Sequence, residues 1–164
     1  MRNFRVYGVI FILIAGVIGF NGCKRTINPA LTDQFVKAAY DGDLEKVKKL
    51  YDEGADINGE SKANYDTTAL VTAANSGKIE VVKFLLDKGV DVNQKTSGKS
   101  TALSGALLGG RTDVVKLLIE KKADVNFDGG YGTPLQRVEG WAKDSPTSTT
   151  WPELIEILKK AGAK

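Results

Sequence analysis

Residues 38–58 read AAYDGDLEKVKKLYDEGADIN, and two similar stretches follow: AANSGKIEVVKFLLDKGVDVN at 73–93 and ALLGGRTDVVKLLIEKKADVN at 106–126. Three sets of residues coincide when these stretches are aligned: Gly42, Gly77 and Gly110; Glu45, Glu80 and Asp113; Asn58, Asn93 and Asn126. In each set the members are separated by 35 and then by 33 residues. Self-similarity at such a period is the signature of a repeat array, in which neighbouring units bury each other's apolar faces.

Each unit has the pattern of two short helices joined by a tight turn. Thr68 and Thr101 precede a first helix, and their side-chain oxygens can cap its amino end. The glycine of each unit allows a turn with positive φ, which costs little only for glycine. The second helix then carries an apolar stripe, such as Ile79, Val82 and Leu85 in the second unit.

The period and the elements TAL (68–70), TAL (101–103) and TPL (133–135) resemble the ankyrin repeat. The resemblance covers residues 31–164 and implies an all-α repeat fold, an ankyrin-type solenoid of about four helix-turn-helix units joined by hairpin-like finger loops. The units are expected at about 31–63, 64–97, 98–129 and 130–164, with an insertion near 140–149. Trp141 and Trp151 are expected to pack this insertion onto the array.

One element departs from the family pattern. The histidine that usually follows the TPL element is replaced by Val71, Ser104 and Gln136. In this family that histidine forms hydrogen bonds between adjacent loops. Those bonds must therefore be formed by other groups here, or be lost.

The amino-terminal segment has the features of an export signal. Arg2 and Arg5 precede fifteen uncharged residues at 6–20, and the small residue Gly22 follows. As a helix these fifteen residues would rise about 22 Å, which is short of a bilayer's hydrocarbon core of roughly 30 Å. We therefore predict a signal peptide over residues 1–22.

The end of this segment, FNGC at 20–23, resembles the lipobox of bacterial lipoproteins. The resemblance implies cleavage before Cys23, lipidation of Cys23, and a tether over residues 23–30. It places the protein in the bacterial cell envelope, lipid-anchored and extracytoplasmic. Lys24 stands where an inner-membrane retention signal would have aspartate, which favours the outer membrane or the periplasmic side. An uncleaved signal anchor with a free thiol at Cys23 is the alternative.

The composition argues against several kinds of chemistry. The chain has no histidine and one cysteine, so histidine-based triads and multi-thiolate zinc sites are excluded. Without Arg2 and Arg5, 21 of the 23 basic residues remain against 20 acidic ones, a net charge of about +1. A nucleic-acid binder normally has a larger basic excess. We expect no cofactor, metal, nucleic acid or catalytic activity.

One short motif resembles part of a nucleotide-binding sequence. GKST at 98–101 resembles the end of a phosphate-binding loop, but Asn93 stands where the first glycine of that loop is required. The stretch aligns with residues 65–68 of the preceding unit. We therefore interpret it as a finger loop.

Because we expect no catalytic or metal site, the candidate functional feature of this protein is its surface. In ankyrin domains the finger tips and the first helices line a concave face that binds a protein partner. Carried over by position, this face comprises Tyr40, Asp41, Asn64, Tyr65, Asn75, Ser76, Lys99, Ser100, Leu108 and Tyr131. Tyrosine is enriched at interface hot spots, although each tyrosine could instead be half-packed against its own finger loop.

Two functions are consistent with these features of the sequence. The favoured one is a non-enzymatic protein–protein interaction module tethered to the envelope, an expected monomer that binds an unidentified partner on its concave face. The alternative is a structural envelope lipoprotein whose array is mainly a spacer. The near-zero net charge further predicts that salt would weaken partner binding only mildly.

Overall fold

A computed structural model describes residues 27–64 and 66–164, without the side chains of Pro29 and Asn64. The expected signal peptide, Cys23 and Tyr65 lie outside the described residues. Within them the chain forms eight α-helices: α1 (Thr32–Asp41), α2 (Leu44–Asp52), α3 (Ala69–Asn75), α4 (Ile79–Asp87), α5 (Ala102–Leu108), α6 (Thr112–Glu120), α7 (Pro134–Asp144) and α8 (Thr150–Lys160).

The eight helices form four pairs that stack along one axis. The first helices pack in the order α1, α3, α5, α7, and the second helices pack in the order α2, α4, α6, α8. A single apolar core runs between the two rows, with Phe35, Leu70 and Leu103 buried from one row and Leu85 and Leu118 from the other. The predicted all-α repeat of about four helix-turn-helix units is therefore confirmed.

The turn inside each of the first three pairs depends on glycine. Gly42, Gly77 and Gly110 have φ of +80°, +73° and +63°. These values lie in the left-handed region, which an L side chain adopts only at a cost. The turns predicted at the repeated glycines are present.

Threonine caps the first helix of units two to four. Thr68, Thr101 and Thr133 each accept a hydrogen bond from the backbone N–H three residues later. In units three and four the residue at the family's histidine position completes a capping box, because Ser104 Oγ and Gln136 Oε1 accept from the threonine N–H. The residues that replace histidine in these two units thus stabilise their own helix.

The first unit begins differently. Leu31 is the residue before α1, and it provides no side-chain cap. Asp33 instead accepts a 2.6 Å hydrogen bond from Ser61 Oγ in the first finger loop. Asn28 N donates to Gly54 O, so the end of the expected tether contacts the first unit.

The first finger loop is a small hairpin, in which β1 (Glu60–Ser61) pairs antiparallel with β2 (Thr67–Thr68). The second finger is closed by a hydrogen bond from Thr96 N to Ser100 O. Glu60 links the two fingers, since its carboxylate accepts from Ser97 N at 2.5 Å and from Ser97 Oγ at 2.6 Å. The stretch at 98–101 is a finger loop, as predicted.

Two of the repeated asparagines tie their unit to the next one. Asn93 accepts from Asp124 N at 2.7 Å and donates to Lys122 O at 3.3 Å. Asn126 repeats the arrangement with Lys164 N and Gly162 O. These bonds hold the loops of neighbouring units in register without the family's histidine.

The expected insertion in the fourth unit is partly helical. Residues 140–144 form the end of α7, which has 11 residues where α3 and α5 have seven. The Trp141 and Trp151 ring centroids lie 5.5 Å apart, and both side chains pack against the core. The two tryptophans therefore hold the insertion on the array, as predicted.

Candidate functional site

A groove follows the first helices and the finger loops along the array. It consists of three adjoining depressions of about 590, 420 and 170 Å³. Tyr40 and Asn75 line both the first and the second of these depressions. Ser100 and Arg137 line both the first and the third, so the three are continuous. We call them together the concave groove.

Eight of the ten residues predicted for partner binding line the concave groove. The 590 Å³ depression is lined by Tyr40, Asn75, Ser100 and Leu108, the 420 Å³ one also by Asp41 and Ser76, and the 170 Å³ one by Lys99 and Tyr131. The side chain of Asn64 and all of Tyr65 lie outside the described residues. The structure thus brings together every predicted residue whose side chain it describes.

Three large apolar side chains of the groove are exposed to solvent. The exposed fraction is 58% for Tyr40, 59% for Leu108 and 79% for Tyr131. Both tyrosines thus have more than half of their surface available for contact with a partner. Exposed apolar groups gathered on one face are typical of interaction surfaces.

The floor of the groove is held in place by hydrogen bonds. Asn75 Nδ2 donates to Gly105 O at 3.1 Å, and Arg111 Nε donates to Asn75 O at 3.0 Å. Thr72 donates to Thr67 Oγ1 at 3.1 Å. Because these polar groups are already bonded, binding a partner would order few further side chains, which lowers the entropic cost of association.

The predicted set missed several lining residues, including Val36, Lys37, Thr72, Gly105 and Arg137. A signal for them is present in the repeat register. Three aligned columns of the first helices line the groove: 36, 71 and 104; 37, 72, 105 and 137; and 40, 75 and 108. The first two columns contain none of the predicted residues, but their members in the first unit, residues 36 and 37, precede Tyr40 by four and three residues. This spacing places them on the same helix face as Tyr40, and it is the signal that could have found them.

The described residues contain no arrangement suited to metal chemistry or to a membrane span. Within 27–64 and 66–164, no three acidic, histidine or cysteine side chains come together to hold a metal ion. None of the helices in the same residues combines the length and hydropathy needed to cross a bilayer. Asp43 caps α2 by accepting a hydrogen bond from Lys46 N.

The comparison with protein families agrees with this architecture. The family model for ankyrin repeats (3 copies) matches residues 35–128. The chain belongs to the ankyrin-repeat family. The ankyrin-type solenoid expected from the sequence is thereby confirmed, and the helix pair α7–α8 extends the array beyond the matched region. Ankyrin repeats are generally protein–protein interaction modules and typically non-enzymatic scaffolds. A search of curated proteins finds no match.

Proposed function

We propose that the protein is a non-enzymatic interaction module that binds a partner protein in the concave groove and is tethered to the bacterial cell envelope. The observation that carries the proposal is the position of Tyr40, Leu108 and Tyr131. These three side chains are exposed on one continuous groove of the array. Tyrosine on a preordered surface contributes much contact area at a small entropic cost.

The size of the groove supports a protein partner rather than a small molecule. Its depressions are lined by residues from all four units, from Tyr40 in the first to Tyr131 in the fourth. A surface of this extent permits many modest contacts to add. Specific protein interfaces commonly bury roughly 800 Å² on each side.

The envelope tether rests on the sequence alone. Cys23 follows an apolar segment and a small residue, and acyl chains on its thiol and amine would anchor the protein stably. An anchored array with Asn28 bonded to the first unit would hold the groove close to the membrane surface.

The tether gives a first testable prediction. In bacteria fed a fatty-acid probe, we expect the wild-type chain to be labelled and the Cys23→Ala chain to lose the label, because the thiol is the attachment point. Lys24→Ala, which keeps the cysteine, serves as the control and should remain labelled. Equal labelling of the Cys23→Ala chain would contradict the lipoprotein proposal.

A second prediction separates the binding module from the spacer. Full-length chain incubated with envelope extract should capture a partner protein, and Tyr40→Ala/Leu108→Ala should abolish the capture. Lys48→Ala/Lys83→Ala changes two partly exposed side chains of α2 and α4, which lie outside the groove, and should capture as wild type does. Quantitative mass spectrometry measures the proteins captured by the wild-type chain and by each of the two double variants. Identical capture profiles for the wild-type and groove variants would favour the spacer.

A further inference from the structure

The concave groove is more basic than the chain as a whole. Five basic residues line it, Lys37, Lys78, Lys99, Arg111 and Arg137, against the two acidic residues Asp41 and Asp66. The groove therefore has a net charge of +3, whereas residues 23–164 together have about +1. The remaining surface is correspondingly slightly acidic.

The cations of the groove are also less neutralised than those elsewhere. Lys37 pairs with Asp41 at 3.2 Å, but among the described residues the other four basic side chains form no ion pair. On the second helices, by contrast, Lys48, Lys83 and Lys116 each pair with a glutamate within 3 Å. Four of the five groove cations therefore have no protein counterion within the described residues and can pair with the carboxylates of a ligand.

Two of these cations are held in position by the protein. Arg137 lies over the Trp141 ring, 5.1 Å from its centroid, and Arg111 is fixed through its Nε to Asn75 O. The lining of the same groove includes the exposed side chains of Tyr40 and Leu108, which form an apolar strip. A charge held at the edge of an apolar strip favours a ligand that carries both carboxylates and an apolar side chain.

We propose that the concave groove binds an acidic, extended segment of a partner protein, with one apolar side chain seated between Tyr40 and Leu108. This inference rests on the proposed protein-binding function. Three helix-to-helix steps of about 8–10 Å separate α1 from α7, so the groove is roughly 24–30 Å long. An extended chain rises about 3.3 Å per residue, so the segment has roughly eight residues.

The same charges argue against polymers of phosphate. A nucleic acid gains affinity by placing many phosphates on a large basic surface, and the whole chain from residue 23 has a net charge of only about +1. The exposed Leu108 and the two acidic residues of the groove add nothing to phosphate binding. An acidic peptide with one apolar side chain contacts both the basic residues and the apolar strip.

A peptide selection tests this inference. A random peptide library displayed on phage is selected against the immobilised full-length chain, and the enriched sequences are synthesised. We expect Asp and Glu to dominate a stretch of about eight residues with one apolar position. The affinity of the leading peptide should fall several-fold between 50 and 500 mM salt, in contrast to the mild dependence expected from net charge.

Charge reversal provides the matched comparison. Lys37→Glu/Lys99→Glu should weaken the leading peptide at least tenfold, whereas Lys48→Glu/Lys83→Glu should change its affinity less than twofold. Both double variants alter the net charge equally and change exposed side chains, and circular dichroism verifies that each is folded. Equal affinities for the two variants would overturn the inference.

The remaining outcomes separate this inference from the proposed function. Enriched peptides that need Tyr40 and Leu108 but contain no acidic bias would overturn the acidic ligand and leave protein binding intact. Peptides whose affinity is unchanged by substitution of Tyr40 and Leu108 would contradict the proposal that the groove is the binding surface. Binding of phosphatidylglycerol vesicles or a single-stranded DNA 12-mer, lost in Lys37→Glu/Lys99→Glu and with no peptide enriched, would assign the groove to another anion and overturn the inference.

Discussion

Gly109→Ala is expected to destabilise the protein by about 2–3 kcal/mol, the range of a severe overpacking substitution. Gly109 follows α5, where that helix approaches α3. A Cβ at this position would lie 2.1 Å from Asn75 O and 3.0 Å from Asn75 C. The backbone of α3 cannot move away like a flexible side chain, so the two helices must separate.

Because this clash lies at the interface between α3 and α5, Gly109→Ala should destabilise the whole array and not only the end of α5. The α3–α5 contact is the central interface of the four-unit stack. In a linear array, stability is approximately the sum of the units and their nearest-neighbour interfaces. A weakened central interface divides the array into two pairs of units. We therefore expect urea unfolding of Gly109→Ala to occur at lower denaturant and with reduced cooperativity.

Gly140→Ala is the matched control. Gly140 lies inside α7, and an added Cβ would have no neighbour within 4 Å. Alanine is favoured over glycine in a helix by up to about 1 kcal/mol, so this variant should be slightly more stable than wild type. Unfolding of both variants, followed by circular dichroism, compares them directly. A Gly109→Ala protein as stable as wild type would disprove the close approach of α3 and α5.

This close approach shows what the sequence pattern left unpredicted in the fold. The glycines at 42, 77 and 110 recur at one position of the repeat, so their role as turns followed from the alignment. Gly105 and Gly109 occur in a single unit and have no recurrent pattern. Their function is to admit the backbone of α3, which is a property of two helices in contact. The sequence of one helix therefore does not reveal it.

Among the hydrogen bonds of the fold, too, the sequence predicted some and left others unpredicted. Recurrence of Asn93 and Asn126 indicated that these asparagines matter, but their backbone partners Asp124 N and Lys164 N lie 31 and 38 residues later. Glu60 and Ser97 do not recur, and their contact depends on how two finger loops lie side by side. Local caps such as Thr101 could be predicted because donor and acceptor are three residues apart.

The groove was predictable to the extent that it follows the repeat register. Tyr40, Asn75 and Leu108 occupy one aligned column, and all three line it. Its positive charge was not predicted, because net charge averages over surfaces that the fold separates. The lysines at 48 and 83 are neutralised by glutamates on their own helices. The five basic residues of the groove are distributed over all four units, so only stacking brings them together.

Tyr40→Ala/Tyr131→Ala is expected to weaken binding of the captured partner at least a hundredfold. Truncation of an interface hot spot typically costs about 2 kcal/mol, which is about thirtyfold in affinity. Tyr40 lies in the first unit and Tyr131 in the fourth, so the two sites share no contacts and their effects should nearly add. Isothermal titration with the purified partner measures the change.

The same double variant should leave the array intact, and this separates a binding surface from a structural one. Both tyrosines are more than half exposed, and removing exposed side chains usually changes stability by less than about 0.5 kcal/mol. Ile27→Ala is the control for loss of exposed apolar area, because Ile27 is 59% exposed and lies outside the groove lining. Its affinity should equal that of wild type. If the tyrosine variant binds normally while Lys48→Glu/Lys83→Glu abolishes binding, the partner contacts the second helices, and the aromatic side chains of the groove have another role.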